Sequence, residues 1–508
     1  MKLNKEMTDY MSSQRWCNFK EELRQNKVSD FNYTSIPFDE GEKLLVIGKI
    51  TLSLESPETR YFIMPLAKEN NASQSENTIT LNGTTYSDAV KKDDFWKSFT
   101  KLLNDNDQSI TFPNGWKMQY NNLSTSNILI SEQDASSRPL GVEQSNTTLA
   151  IGDDTIAFKL ERMISFSQDI NPEFEMNEKL MKEECTVMPQ TYAYLTLHDN
   201  NGAQASAGIF QEFVKNRGDL WNYSLEYLKD KLHKGYLTQT DILPSDNPEF
   251  MDLIKNLSLK TQEMGNCLSR PDNNEAFTPE PVDANFIHSY EKQMTVLLYQ
   301  THRNIVNNVD KLPEPTQSKA HQLLDNWNDL TNNYIATQLN NISQSPNKGY
   351  VSRVHGDFHL GQVMVTNDND LKFIDFAGEP DLPIEKRRQK HIYVRDIAGM
   401  YRSIKGYLGA VAVEEYVATA PDEQTAQAMR KYASKAIKPI INASAQTFLG
   451  QHNLKEPWLS LEVLRKNLYE VNYEVNNRPQ MAYVAINGLS DLLQKTSKSK
   501  TNSNNISR

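Results

Sequence analysis

The sequence predicts an α+β fold of two lobes, in which a β-rich N-terminal part precedes a mainly helical C-terminal part. Alternating apolar and polar residues, typical of half-buried strands, dominate the chain up to Val214. After Val214, apolar residues recur at helical spacing over long stretches. A cluster of Asn and Asp residues at 367–370, flanked by strand-forming residues, predicts one hairpin within the helical part. At 508 residues the chain is too long for one core, so two or three domains are expected.

The N-terminal part begins with a predicted β-rich cap. Lys43 to Leu52 and Tyr61 to Leu66 have the alternation of strands. Asp93 to Leu103 predicts a helix with an aromatic and aliphatic stripe that faces a core. The predicted segments are a cap at 1–109, a β-rich lobe at 110–215, a helical lobe at 216–495 and a disordered, apolar-poor tail at 496–508.

The predicted hairpin carries candidate catalytic residues. If its turn is centred between Asp368 and Asn369, Gln362 lies opposite Asp375, and Asp357 lies on the loop that enters the hairpin. An acid, a carboxamide five residues later and a second acid on a following turn match the needs of phosphoryl transfer. The first acid accepts the proton of the attacking hydroxyl, while the amide and the second acid bind Mg²⁺ through oxygen atoms.

Two other interpretations of this stretch remain. His355 and His359 could bind a transition metal, although no further His or Cys cluster completes a ligand set. The stretch could also be an ordinary hairpin with a polar turn, which the full run of acids and amides disfavours.

The β-rich lobe contains candidate phosphate-binding residues. Thr155 to Leu160 is a predicted return strand on which Lys159 faces away from its apolar neighbours. A single strand lysine is more often simply solvated, so the phosphate-binding hypothesis needs an acid on the following helix. That helix starts at Pro172, and Glu175 is preferred over Glu173 because it lies further into the helix.

Two further segments of this lobe suit a nucleotide. The small polar residues Gln144, Ser145, Asn146 and Thr147 form a loop whose backbone N–H groups could meet phosphates. The strand pattern from Gly208 to Val214, which includes Glu212, would end in a hinge whose backbone meets adenine.

Taken together, these runs resemble the maltokinases, within the aminoglycoside-phosphotransferase-like branch of the protein-kinase fold. The matching runs cover most of the chain in order. They are Gln14-Arg15-Trp16, Glu143 to Thr147, Gln211 to Val214, Val354 to Val363, Asp375-Phe376, Gly378-Glu379-Pro380, Glu385 to Arg388, Arg395 to Met400, Arg402-Ser403, Leu468-Tyr469-Glu470, Tyr473-Glu474 and Asn477-Arg478-Pro479.

The resemblance implies a bilobal kinase-like body behind the cap and a nucleotide-binding role for 110–215. It implies phosphorylation of the anomeric hydroxyl of maltose with ATP and Mg²⁺, within glycogen, α-glucan and trehalose metabolism, and suggests a trehalose- or glucan-processing enzyme as a partner. Asp357 resembles the catalytic base, and Gln362 and Asp375 the magnesium ligands. The expected ATP-binding residues are Gln144, Ser145, Asn146, Thr147, Lys159, Glu175, Glu212 and Val214. The expected sugar-binding residues are His355, Tyr473, Glu474 and Arg478.

Departures from the family pattern keep alternatives open. Ala377 replaces a usual Glu, and Gln480-Met481 replaces a usual Asp-Trp, so an acid and an aromatic ring for gripping a sugar are lost. A kinase for another sugar such as glucosamine, an aminoglycoside-type phosphotransferase and a nucleotide-binding pseudokinase scaffold are the remaining hypotheses.

Composition limits the class of protein. The net charge is -11, so nucleic acid is not an expected partner. No apolar run is long enough for a membrane span, and the start lacks the apolar segment of a secretion signal. Three widely separated cysteines suit a reducing cytoplasm, which is the expected location.

Three segments of the helical lobe stay ambiguous. Phe286 to Leu312 and Ala320 to Ile342 predict two helices, either a substrate-pocket insertion or a plain packing pair. The basic run Glu385 to Lys390 is either a solvated loop or a phosphate contact. Asp396 either caps the following helix, which first-turn preference favours, or holds the catalytic loop from behind.

Overall fold

The computed structural model of the chain describes residues 5–54, 56–69, 77–124, 135–140, 146–329, 333–379, 382–452, 454 and 456–492. These fall into two compact units. The first unit comprises 1–184 and 189–215, and therefore holds both the cap segment and the β-rich lobe. The second comprises 185–188 and 216–508. The tail expected at 496–508 lies outside the described residues.

The first unit contains two antiparallel sheets. One has the order β1-β2-β3-β5-β4, with β11 paired to β3. The other has the order β6-β7-β12-β13-β10-β9-β8. The strands are β1 (Val28–Phe38), β2 (Lys43–Leu52), β3 (Glu58–Lys68), β4 (Ile79–Leu81), β5 (Thr84–Asp88), β6 (Ser109–Thr111), β7 (Lys117–Asn122), β8 (Ser137–Pro139), β9 (Asn146–Ile151), β10 (Ile156–Glu161), β11 (Met163–Ile164), β12 (Thr191–His198) and β13 (Gln204–Glu212).

Four helices accompany these sheets: α1 (Lys5–Ser13), α2 (Lys20–Arg24), α3 (Phe95–Asp105) and α4 (Pro172–Lys182). The predicted stripe of α3 is confirmed, because Phe95, Trp96, Phe99 and Leu103 are all buried in a core that both sheets share. The two long cap strands are confirmed as well, since β2 and β3 cover the predicted segments. Strand alternation and the helical stripe are local patterns, which is why the sequence sufficed for them.

A buried arginine links the two sheets of the first unit. Arg162 is fully buried and donates to both carboxylate oxygens of Asp88, at 3.4 and 2.8 Å. Its Nε donates to the backbone oxygen of Ile63, and its guanidinium lies 5.0 Å from the ring centroid of Trp16. The Gln14-Arg15-Trp16 run thus places an aromatic face on a structural ion pair.

The second unit is mainly helical. Its helices are α5 (Leu220–Thr238), α6 (Pro248–Leu268), α7 (Ala284–Asn308), α8 (Glu314–Asp325), α9 (Ile335–Gln344), α10 (Ile384–Arg387), α11 (Val394–Arg402), α12 (Gly409–Val417), α13 (Glu423–Ala436), α14 (Lys438–Gly450), α15 (Glu456–Asn477) and α16 (482–492), with a helical turn at Trp327–Asp329. Two small sheets have the orders β14-β17-β18 and β15-β16-β19. Their strands are β14 (Asn216–Asp219), β15 (Glu280–Pro281), β16 (Tyr350–Ser352), β17 (Val363–Thr366), β18 (Leu371–Phe373) and β19 (His391–Ile392).

Apolar residues of α7, α8, α9, α15 and α16 share one core. The first predicted helix of this region matches α7, but the second is wrong as one helix. Its N-terminal part is α8, which starts at Glu314 with Pro315 in its first turn, and its C-terminal part is α9. Proline fits the first turn of a helix, so the Pro313-Glu314-Pro315 run starts α8 rather than only separating two helices. Within the residues described, no helix has the length and apolar character needed to cross a membrane.

Candidate active site

The predicted hairpin is formed by β17 and β18, but its register differs by one residue from the expectation. Val363 faces Phe373, and the backbone N–H of Ile374 donates to the oxygen of Gln362 at 3.0 Å. Gln362 is therefore opposite Ile374 rather than Asp375. The cause is a three-residue loop, closed between Thr366 and Asp370, whose last residue Asn369 adopts φ 65°.

Gln362 and Asp375 nevertheless meet through their side chains. The amide Nε2 of Gln362 donates to Oδ2 of Asp375 at 3.2 Å. Asp375 has φ 65°, an uncommon conformation for a residue other than glycine, and this turns its backbone away from the extended path of β18. An amide and a carboxylate thus lie side by side at the end of the hairpin.

Helix α11 supports the loop that carries Asp357. The carboxylate of Asp396 accepts the backbone N–H groups of His355 and Gly356, at 2.8 and 2.9 Å. Burial raises the pKa of Asp396, and these two hydrogen bonds and His355 act in the opposite direction. Of the two roles left open for Asp396, the structure shows that it holds the loop from behind. Ser403, at the end of the same run, supports the loop as well, because its Oγ accepts the backbone N–H of Leu360.

His355 braces the site instead of lining it. Its side chain is buried, between the rings of Phe358 and Phe376, and its Nε2 donates to the backbone oxygen of Ile374 at 3.1 Å. The expectation that His355 binds substrate is therefore wrong. The ring connects the Asp357 loop to the end of β18, a tertiary contact that local sequence does not reveal.

The loop that carries Asp357 and the loop after Asp375 approach each other at two glycines, Gly356 and Gly378. Gly356 has φ 87°, and a β-carbon at this position would lie 3.3 Å from the Cα of Gly378. The loop after Asp375 is held by Arg387, whose Nη1 donates to the oxygen of Ala377 at 3.1 Å. The basic run Glu385 to Lys390 thus contacts this loop through Arg387. A contact of the run with phosphate remains a prediction.

Asp357 is largely buried and is paired with a cation. Lys466 on α15 donates to its Oδ1 at 3.2 Å, and Nε2 of His359 lies 3.8 Å from its Oδ2. Burial acts to raise the pKa of Asp357, but Lys466, His359 and His355 outweigh it, so the pKa lies below the usual value. Burial also lowers the pKa of His359, which favours its neutral form. Asp357 is consequently ionised at neutral pH.

The tautomer of neutral His359 follows from its hydrogen bonds. Its Nδ1 accepts the backbone N–H of Gly361 at 3.1 Å, so Nε2 carries the ring proton and points toward Asp357. A transition-metal site at His355 and His359 is not supported, because His355 Nε2 is bound to Ile374. Within the described residues no group of three His, Cys, Asp or Glu side chains could hold a metal ion.

Beyond Lys466, helix α15 carries two more acidic side chains that are paired with arginines. One turn after Lys466, Glu470 accepts two hydrogen bonds from the buried guanidinium of Arg402, at 2.9 and 2.5 Å. Another turn on, Glu474 accepts two from Arg478, at 3.0 and 2.5 Å. Burial raises the pKa of Glu474, and Arg478 acts against that rise. Tyr473 is 42% exposed and lies under the Arg478 guanidinium, so the expected sugar-binding residues of this helix form one cluster.

In the first unit, Lys159 has the predicted orientation and pairs with Glu173. Phe158 and Leu160 are buried while Lys159 faces the other side of β10. Its Nζ lies 3.1 Å from Oε2 and 3.3 Å from Oε1 of Glu173. The structure thus pairs Lys159 with Glu173, and the expected role of Glu175 remains a prediction. Glu173 lies at the start of α4, where its backbone N–H donates to Oδ1 of Asn171 at 2.8 Å.

The remaining expected ATP-binding residues have mixed outcomes. Gln144 and Ser145 lie outside the described residues. Asn146 begins β9, and Thr147 is buried with its hydroxyl accepting from Arg162 at 3.3 Å, so Thr147 does not fit the predicted phosphate loop. Glu212 ends β13 and accepts from the N–H of Gln190, and Val214 follows it two residues later. Their nucleotide contacts remain predictions.

Comparison with known proteins identifies the fold. No protein-family model matches the chain. A crystal structure of glucosamine kinase has a TM-score of 0.58 at 16% identity, and the match covers 92% of this chain and 95% of that one. A glucosamine kinase in complex with glucosamine, ADP and inorganic phosphate gives a TM-score of 0.56 at 16% identity, covering 96% and 99%. The chain has a kinase-like fold.

A sequence relative agrees with this kinase-like fold. Over 147 residues the chain is 30% identical to a glucosamine kinase from Streptacidiphilus jiangxiensis. The match covers 28% of this chain and only 31% of that relative. The similarity found is thus to glucosamine kinases, and the finer resemblance to maltokinases remains a prediction.

Several residues of this candidate site were missed by sequence reasoning. Lys466 is separated from Asp357 by 109 residues, and its neighbours in the sequence do not indicate that Asp357 is its partner. Arg465 joins Glu379, at 3.4 Å, to Glu462, at 2.7 Å, and so ties the Gly378-Glu379 loop to α15. The one available signal was spacing: Lys466, Glu470 and Glu474 recur every four residues, on one face of a helix.

Proposed function

We propose that this protein transfers the γ-phosphoryl group of ATP to a hydroxyl group of a sugar. The observation that carries the proposal is the meeting of two loops: the one that holds the ionised Asp357 and leads to Gln362, and the one after β18 that holds Asp375. The kinase-like fold supports it, because that fold places an acid and metal ligands in this chemical relation. The identity with a glucosamine kinase supports a sugar as the acceptor.

Asp357 is proposed as the catalytic base. Its carboxylate accepts the proton of the sugar hydroxyl as that oxygen forms a bond to the γ-phosphorus. The bond between the γ-phosphorus and the β,γ-bridging oxygen breaks, and ADP leaves with the electron pair. The low pKa of Asp357 keeps it ionised in the resting site, and the proton passes to solvent after transfer. Most of the rate gain in such reactions comes from positioning and charge stabilisation.

Gln362 and Asp375 are proposed to hold Mg²⁺. Both offer hard oxygen ligands and lie side by side, and two protein ligands suit an ion that draws its others from phosphates and water. Bound Mg²⁺ would neutralise charge on the phosphates. Lys159, held by Glu173, is proposed to bind the ATP phosphates, and the backbone near Glu212 and Val214 to meet the adenine.

Glucosamine is the acceptor that the sequence relative favours. Maltose is a second candidate, for which one observation speaks. Glu470 and Glu474 each pair with an arginine, so neither presents an uncompensated charge for the ammonium of an amino sugar. A neutral disaccharide meets no such requirement, and the exposed Tyr473 offers it an aromatic face.

The test is acceptor-dependent ADP release from Mg-ATP with maltose, glucose, glucosamine, trehalose and kanamycin, using Asp357→Asn as the control. Release with a sugar, lost in the variant, is expected. Release with kanamycin alone would show that the acceptor is an aminoglycoside and not one of the other sugars. Nucleotide binding without release for any acceptor would favour a pseudokinase and contradict the proposal.

A further inference from the structure

Lys466 has a feature that the proposed chemistry does not use. Its ammonium is the cation closest to the proposed base, 3.2 Å from Oδ1 of Asp357, among the contacts that the described residues show. Only 11% of the Lys466 side chain is exposed, against 19% for Asp357. A charge pair so far removed from water is screened weakly and interacts more strongly than a surface pair.

The ammonium of Lys466 is also held from a second direction. It lies 4.9 Å from the ring centroid of Tyr469, one turn later on α15. The flanking residues Leu464 and Leu468 are fully buried in the helical core of the second unit. The lysine therefore extends from a fixed helix onto the Asp357 loop, and its position does not depend on that loop.

The two carboxylate oxygens of Asp357 have different neighbours. Oδ1 faces Lys466, whereas Oδ2 faces His359 at 3.8 Å, which is too long for a direct hydrogen bond. The His359 side chain is 38% exposed, so Oδ2 lies on the more open side. The oxygen that remains for a substrate hydroxyl is Oδ2.

We infer that Lys466 is a positioning residue, whose ammonium fixes Oδ1 of Asp357 and thereby presents Oδ2, as an ionised oxygen, to the acceptor hydroxyl. The inference rests on the proposed function for its catalytic meaning, but the charge pair itself can be tested without activity. It adds a residue from α15 to the proposed catalytic base and metal ligands, which lie on the loops around the hairpin.

The charges around Asp357 give the expected direction of a pH effect. Lys466 from α15, and His359 and His355 from its own loop, oppose the rise that burial causes, and Asp375 acts on His359. Removal of Lys466 leaves only the imidazoles of His359 and His355 to oppose the effect of burial. Burial then dominates, and we expect the pKa of Asp357 to rise.

The kinetic test uses Lys466→Met, Lys466→Arg and a matched control, Lys260→Met. Lys260 also pairs with an aspartate, Asp370, at 3.1 Å, and its side chain is also 11% exposed. In Lys466→Met the acid limb of kcat/KM should move to higher pH, and kcat should fall about 10- to 100-fold while KM for ATP stays nearly constant. Lys466→Arg should restore the acid limb, and Lys260→Met should change neither quantity.

An unmoved acid limb in Lys466→Met, or a rise in KM for ATP alone, would overturn the inference, because the lysine would then serve the fold or the nucleotide. The second measurement needs no turnover: carbon NMR of protein with isotope-labelled aspartate, with Asp357→Asn to assign its signal. A titration of Asp357 that shifts upward in Lys466→Met and not in Lys260→Met supports the pairing, even if no acceptor is phosphorylated. An unshifted titration overturns it, whatever the fate of the proposed function.

Discussion

The backbone oxygen of Phe358 lies against Gly399 so closely that a β-carbon on residue 399 would be 2.7 Å from it. Gly399 is in the middle of α11, and Phe358 directly follows Asp357. The helix therefore touches the Asp357 loop through bare backbone. A methyl group at this position must push the loop away.

Gly399→Ala is accordingly expected to lower kcat by about 100-fold, since a displacement near one ångström can cost that much in a positioned site. The matched control is Gly450→Ala at the end of α14, where a β-carbon meets nothing within 4 Å. Steady-state kinetics of both variants, with circular dichroism to verify folding, is the measurement. Equal activity of Gly399→Ala and the wild type would show that the loop position does not control the reaction.

Asp357→Asn should keep ATP binding and reduce turnover by about 10²- to 10⁴-fold, because the amide cannot accept the acceptor proton. Calorimetry with ATP and single-turnover kinetics with the preferred sugar separate the two effects. Full activity in this variant would exclude Asp357 as the base.

Asp375→Ala should abolish the Mg²⁺ dependence of nucleotide binding, since the carboxylate is one of two proposed ligands. The control is Asp368→Ala, at the exposed tip of the same hairpin. ATP titrations with and without Mg²⁺ give the result. An unchanged ATP affinity in Asp375→Ala would count against its metal role.

Glu173→Gln should weaken ATP use about 10- to 100-fold, because Lys159 loses a charged hydrogen bond and its fixed position. Lys159→Met should have an effect at least as large. Glu178→Gln, an exposed acid on the same helix, is the control and should be neutral. KM for ATP reports the difference, and a larger effect from Glu175→Gln than from Glu173→Gln would contradict the assignment.

Arg162→Met should destabilise the first unit by about 3–5 kcal/mol, because it leaves the buried carboxylate of Asp88 without its cation. Arg138→Met removes the exposed pair with Asp154 and should cost less than about 1 kcal/mol. Urea denaturation of both variants measures the shift in midpoint. Similar midpoints would mean that Asp88 finds another partner.

Local sequence patterns were sufficient to predict several elements of the fold. The alternation around Lys159, the stripe of α3 and the turn residues of the hairpin each depend on neighbours in the sequence, and the structure has all three. Errors arose where a single residue decides the outcome. Asn369, in the left-handed conformation, closes a three-residue loop and shifts the register of the hairpin by one residue from the expectation.

Contacts between distant segments were beyond the sequence. His355 looked like a substrate ligand because it neighbours Asp357, yet Phe376 and Ile374 bury it and bind it. Lys466 lies 109 residues from its partner, and its role depends on how α15 packs in the helical core. A single sequence specifies such pairings only through the whole fold.

The reaction proposed for this protein is the phosphorylation of a sugar with ATP. Phosphorus NMR of the protein with Mg-ATP and each acceptor of the panel tests it most directly, since it reports both ADP formation and the new phosphate ester. We expect a sugar phosphate resonance with glucosamine or maltose that is absent for Asp357→Asn. ATP that binds but yields no phosphorylated sugar with any acceptor of the panel would contradict it.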